Sequence, residues 1–110
     1  MISKAKEERG RSASMDLEAM VRARRADILR VCERNGASRP AIFGSVARGD
    51  ARPGSDLDVL VDLDPSRSLL DHIHLKHELE DLLGVSVDVV TRRGLHPLIR
   101  DAVLREAVPI

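Results

Sequence analysis

Asp56 and Asp58 stand two positions apart in the run Asp56-Leu57-Asp58-Val59-Leu60-Val61, separated by ten intervening residues from a Gly44-Ser45 pair. Side chains on a strand alternate, so the two aspartates share one face while Leu57, Val59 and Val61 share the other. Two carboxylates at that separation repel, and protons or a cation must offset their charge; hard oxygen ligands favour Mg²⁺ or Mn²⁺. Upstream, the short apolar run Pro40-Ala41-Ile42-Phe43 ends at Gly44. Glycine followed by serine allows a tight turn that exposes backbone N–H groups and a hydroxyl, a geometry suited to phosphate oxygens. An Asp-x-Asp pair alone also describes a solvated strand end. The phosphate-sized turn beside it makes a nucleotide the expected ligand. Arg48 and Arg52, in the spacer between turn and carboxylates, carry donor forks matched to phosphate, or else point to water. Gly44, Ser45, Arg48 and Ser55 are the nucleotide-binding candidates, and Asp56 and Asp58 the metal-ligating ones.

These residues need elements to hold them. The sequence predicts a strand over 39–43, the Gly-Ser turn, a short helical turn from Val46 to Arg48, a Gly-Pro-Ser loop and a buried strand over 56–62. Before them, Leu17, Met20, Val21, Ile28, Val31 and Cys32 recur at helical spacing, which predicts one helix from Asp16 to about Arg34, closed by Asn35-Gly36. Residues 1–14 are charged, rich in small residues and without a sustained apolar period, and are expected to form a mobile arm or frayed helix ahead of a domain over 15–110. After the central unit, Asp64-Pro65 reads as an N-cap with proline at the first helical position. Leu69, Leu70, Ile73, Leu75, Leu79, Leu82 and Leu83 predict a helix over 66–83 stopped by Gly84 and covering the sheet. Val85 to Val90 is the third expected strand, with Asp88 on the face opposite Val85, Val87 and Val89. Pro97 opens a final helix carrying Leu98, Ile99, Ala102, Val103 and Leu104.

Gly44-Ser45, the spacer containing Arg48-Gly49, and Asp56-Leu57-Asp58 followed by three apolar residues together resemble the signature of the polymerase-β-like nucleotidyltransferases. The resemblance runs from about Ala41 to Ile110. It implies an α+β fold, a small mixed sheet with helices on one side, in which the Gly-Ser turn grips a triphosphate. It further implies two Mg²⁺ ions held by Asp56 and Asp58 with a third carboxylate from a neighbouring strand, the place Asp88 occupies in the motif order. Asp56, Asp58 and Asp88 are thus the expected catalytic residues. Stand-alone domains of this minimal kind are often antitoxin partners of helical HEPN-class ribonuclease toxins, which they silence by transferring AMP. The resemblance therefore implies ATP as substrate and a hydroxyl of a helical toxin, tyrosine for preference, as acceptor. Two other readings stay open: a steric antitoxin with a vestigial site, and a nucleotidyltransferase acting on antibiotics.

Composition narrows the classes. A chain of 110 residues is one domain, too short for a separate substrate-recognition module. Acidic and basic residues balance at 18 each and Phe43 is the sole aromatic, so neither an overall field nor a stacking platform draws it to nucleic acid. No apolar run approaches a membrane span, and a single cysteine forms no internal disulfide, so the expected location is the cytoplasm. Cys32 is read as a small apolar helix residue. His72, His74 and His77 are read as a solvated helix face, Asp62 and Asp64 as structural, and Arg22, Arg24, Arg25 and Arg30 as solvated.

Overall fold

The computed structural model describes the backbone of residues 2–110 and the side chains from residue 13 onward. Its elements run α1 (Ile2–Ala23), α2 (Arg25–Arg34), β1 (Ala37–Phe43), α3 (Gly44–Arg48), β2 (Leu57–Leu63), α4 (Leu69–Leu83), β3 (Val87–Thr91), α5 (Pro97–Glu106) and β4 (Val108–Pro109). The four strands form one mixed sheet in the order β3-β2-β1-β4. β1 and β2 are antiparallel, whereas β2 and β3 are parallel and therefore need the crossover that α4 supplies.

Strand alternation sorts the core into two layers. Ile42, Leu57, Val59, Val61, Val87 and Val89 face one side, packed with Val21 of α1, Ile28, Val31 and Cys32 of α2, Val46 of α3 and Leu75, Leu79 and Leu83 of α4. On the other side Ala41 and Leu60 meet Val103 of α5 and Leu95 of the loop before it, flanked by Phe43 and Val90. The expectation of helices on one side alone is therefore corrected, because α5 covers the opposite face. Cys32 is 1% exposed and its thiol is pushed up to about 11 by burial, in keeping with an inert apolar role.

Several expected boundaries move. The single helix over 16–34 is two, broken at Arg24 (φ −103°, ψ 13°), with no glycine or proline to announce it. α1 runs through the expected arm–domain boundary. Ser14 is 2% exposed, and its hydroxyl accepts the N–H of fully buried Ala51 at 2.9 Å, so at least Ser14 belongs with the packed unit. The side chains of residues 1–12 lie outside the described ones. Asp64 is not a helix cap: it accepts the Ser66 N–H and hydroxyl within a turn, and α4 starts three residues later under a capping box of Ser68 and Asp71. β4 was not expected at all; it adds Val108 and Pro109 to the edge of β1 opposite Ile42 and Ala41.

Asn35 and the α4 histidines also gain roles. Asn35 is 3% exposed, donates to Val31 O and Glu78 Oε1, and its carbonyl oxygen meets His74 Nδ1 at 2.8 Å, tying α2 to α4. His72 Nε2 lies 2.8 Å from Val89 O on β3. Those two histidines thus fasten α4 to its neighbours and are not merely solvated.

Candidate active site

Asp56 immediately precedes β2 and Asp58 is its second residue. In the sheet register Asp58 pairs with Asp88 on β3 and with Phe43, the last residue of β1. The central carboxylate is thus flanked by a second carboxylate on one side and, on the other, by the point where Gly44 leaves the sheet. Gly44 has φ +74°, a conformation L side chains rarely adopt. A Cβ there would overlap Asp58 Oδ2 and lie 3.0 Å from Asp58 Cγ. The glycine is required twice over, for the turn and for the approach of the carboxylate to it. α3 then carries Ser45 and Arg48 and stops at Gly49 in the left-handed region.

The electrostatics centre on Asp58. Burial, then the nearby Asp88 and Asp56 charges, and also Glu106, push its carboxyl up to about 6, with Arg48 opposing. Asp56 and Asp88 are exposed. Among the described residues no three His, Cys, Asp or Glu side chains stand close enough to form a ready-made metal cage. The carboxylates nonetheless suit a hard divalent ion in donor type, and the two exposed ones are free to change rotamer around the fixed Asp58.

Arg48 lies among these groups: its Nε is 3.3 Å from Asp50 Oδ2 and its Nη1 is 3.3 Å from Glu106 Oε1. The same Glu106 oxygen accepts the Gly44 N–H at 2.8 Å. Glu106 was not singled out from sequence, because it sits 62 residues from Gly44 at the end of a helix and no local spacing connects them. Ser55, a nucleotide-binding candidate, has its hydroxyl accepting the Arg52 N–H at 2.8 Å, which shapes the loop. Arg52 itself is exposed. A cavity of about 560 Å³ lies beside that loop, lined by Ala13, Asp16, Leu17, Arg52, Ser55 and Ser86 among others. Another of about 480 Å³, between Asp62, Arg67, His72 and Thr91, sits at the far end of β2 and takes no part in the site.

A mixed sheet presenting aspartates from two parallel strands beside a glycine turn offers the donor types that metal-assisted phosphate chemistry uses. The nucleotidyltransferase domain family matches residues 28–110. The chain belongs to this family and is an enzyme of the nucleotidyltransferase class. It is 45% identical over 83 residues to a candidate protein adenylyltransferase of Methanocaldococcus jannaschii, covering 76% of this chain and 89% of the relative. It is 40% identical over 93 residues to the protein adenylyltransferase MntA of Thermococcus cleftensis, covering 84% and 91%. A solved structure of a candidate minimal nucleotidyltransferase superposes with TM-score 0.75 and 57% identity, covering 86% of this chain and 95% of the other. A toxin-antitoxin crystal structure with AMP-PNP shares the fold at TM-score 0.64 and 21% identity, covering 74% and 68%.

Proposed function

We propose that the protein transfers the adenylyl group of ATP to a hydroxyl of a partner protein and thereby neutralises that partner, a helical toxin of the HEPN ribonuclease class. The observation that carries the reading is the register of Asp58 against Asp88, with Gly44 packed against the Asp58 carboxylate. The names of the relatives supply the adenylyl group and the protein acceptor. Among the described residues no helix is long and apolar enough to cross a membrane.

In this reading Ser45, the backbone of the Gly44-Ser45 turn and Arg48 bind the β- and γ-phosphates, leaving the α-phosphate opposite the carboxylates. Two Mg²⁺ ions held by Asp56, Asp58 and Asp88 would neutralise triphosphate charge and acidify the attacking hydroxyl. The acceptor oxygen bonds to the α-phosphorus as the bond to the bridging oxygen breaks and pyrophosphate leaves. Asp88, exposed on β3 beside Asp58, takes the hydroxyl proton. Ser55 keeps the loop before Asp56 in shape. A tyrosine beside the toxin's RNA site is the expected acceptor, since an added nucleotide there obstructs and repels RNA phosphates.

The test mixes a helical HEPN-class candidate partner, in large excess, with this protein, ATP and Mg²⁺, and follows intact mass and RNA cleavage. The expected result is one or more adenylyl masses on the partner with cleavage lost. Inhibition only at equimolar protein, with no mass added, would replace transfer by steric masking.

A further inference from the structure

We propose that Glu106 belongs to the nucleotide site and sets its affinity for triphosphate, its carboxylate standing on the Gly44 N–H and Arg48 until the β- and γ-phosphates displace it. The inference rests on the reading that the Gly44–Arg48 segment receives the triphosphate. One oxygen, Glu106 Oε1, accepts from Gly44 N at 2.8 Å and pairs with Arg48 Nη1 at 3.3 Å. A carboxylate on those donors offers the same chemistry as a phosphate oxygen: an anionic acceptor satisfying a backbone N–H and a guanidinium together.

The charge balance argues for exchange. Asp58 already feels Asp56 and Asp88, and Glu106 adds a further like charge, while the Arg48 cation opposes them. A triphosphate arriving with Glu106 in place would meet four carboxylates and find its guanidinium occupied. With Glu106 withdrawn, one negative charge leaves and the Gly44 N–H and Arg48 Nη1 are freed, while Arg48 Nε keeps its ion pair with Asp50. Withdrawal requires little disruption, because α5 is thinly held: of its ten residues only Val103 is buried, and the Glu106 side chain is 26% exposed, so water can take over its solvation. In the absence of nucleotide the same carboxylate keeps the turn formed, so a donor that would otherwise lose its partner stays satisfied.

A purely structural clamp would make the opposite prediction for nucleotide binding. The test compares MgATP and AMP binding by calorimetry to the full-length wild type, Glu106→Gln and Glu106→Ala, with thermal melts alongside. Glu106→Gln keeps an oxygen for the Gly44 N–H and removes the charge. Both variants are expected to bind MgATP about two- to fivefold more tightly, the upper range for releasing an exposed ion pair, with AMP binding unchanged because AMP lacks the β- and γ-phosphates. Should Glu106→Ala unfold, Glu106→Gln decides. Unchanged or weaker MgATP binding by a folded Glu106→Gln, or equal tightening of AMP, overturns the proposal. Tightening seen together with no transfer to the helical partner would refute the proposed function and leave the role of Glu106 standing.

Discussion

Replacing Asp58 by Asn should stabilise the metal-free protein, and by an amount that depends on pH. The carboxyl titrates at about 6 in the fold against 3.8 in an ordinary setting, because burial and the neighbouring Asp88 and Asp56 disfavour its charge. Below about pH 3.8 it is protonated in folded and unfolded chains alike. As pH rises the unfolded chain releases its proton first, while the folded chain holds its own until about 6. Stability therefore falls across this window and levels off above it. The full difference corresponds to about 3 kcal/mol. Asp58 is only partly buried and its neighbours are open to water, so about 1–2 kcal/mol is the expected effect. For a domain of this size that is about 4–10 °C in melting temperature. The assay is thermal unfolding by circular dichroism in EDTA, wild type beside Asp58→Asn, from pH 4 to 8. The gap should open between about pH 4 and 6 and stay constant above. Saturating Mg²⁺ should close it by stabilising the wild type alone. A gap independent of pH, or a variant less stable than wild type at pH 7.5, would refute the reasoning.

Gly44→Ala should cost about 2 kcal/mol or more, since the left-handed backbone is strained for alanine and the new methyl displaces Asp58; a urea titration measures it, and MgATP binding should weaken as well. Asp88→Asn should leave the melt unchanged or slightly raised, the side chain being exposed, while lowering adenylyl transfer by about 10²-fold or more, read by intact mass against time. Deleting residues 1–12 should barely move the melting temperature, whereas Ser14→Ala should cost about 1–3 kcal/mol by stripping the buried Ala51 N–H of its acceptor; comparing the two variants in one melt series separates arm from domain.

The strands were legible because their signal is local. Leu57, Val59 and Val61 alternate with Asp58 and Leu60 in the sequence and in the sheet alike, and the only refinement is of a residue or two at each end. The elements that moved are those whose limits depend on distant partners. Nothing between Asp16 and Arg34 announces a break at Arg24, and the apolar period continues through it. The start of α4 was displaced because Asp64-Pro65 and Ser68–Asp71 both look like helix starts, and the capping box of the second satisfies backbone donors that the turn at Asp64 does not. β4 is two residues long, below what any periodicity can reveal, and exists because β1 offers an open edge.

The same division governs the site. Gly44, Ser45, Asp56 and Asp58 fall within fifteen consecutive residues, so a turn, a loop and one strand bring them together and their spacing already carries the chemistry. Asp88 is separated from Asp58 by the whole of α4, and alternation fixes only its face, not its register; it was the family resemblance that paired it with Asp58, and the parallel ladder sets the two side by side. Glu106 lay beyond both kinds of signal. Its position follows from α5 crossing the sheet face on which Asp58 and Asp88 stand, a placement that Val103 and Leu95 secure against Leu60 and that the sequence expresses only as a short amphipathic helix. A carboxylate that reaches the Gly-Ser turn by this tertiary route is anchored by weaker packing than the aspartates on the strands. It is also the carboxylate that stands on the Gly44 N–H and Arg48, which is why its exchange with phosphate, and not its contribution to the fold, is the property worth measuring.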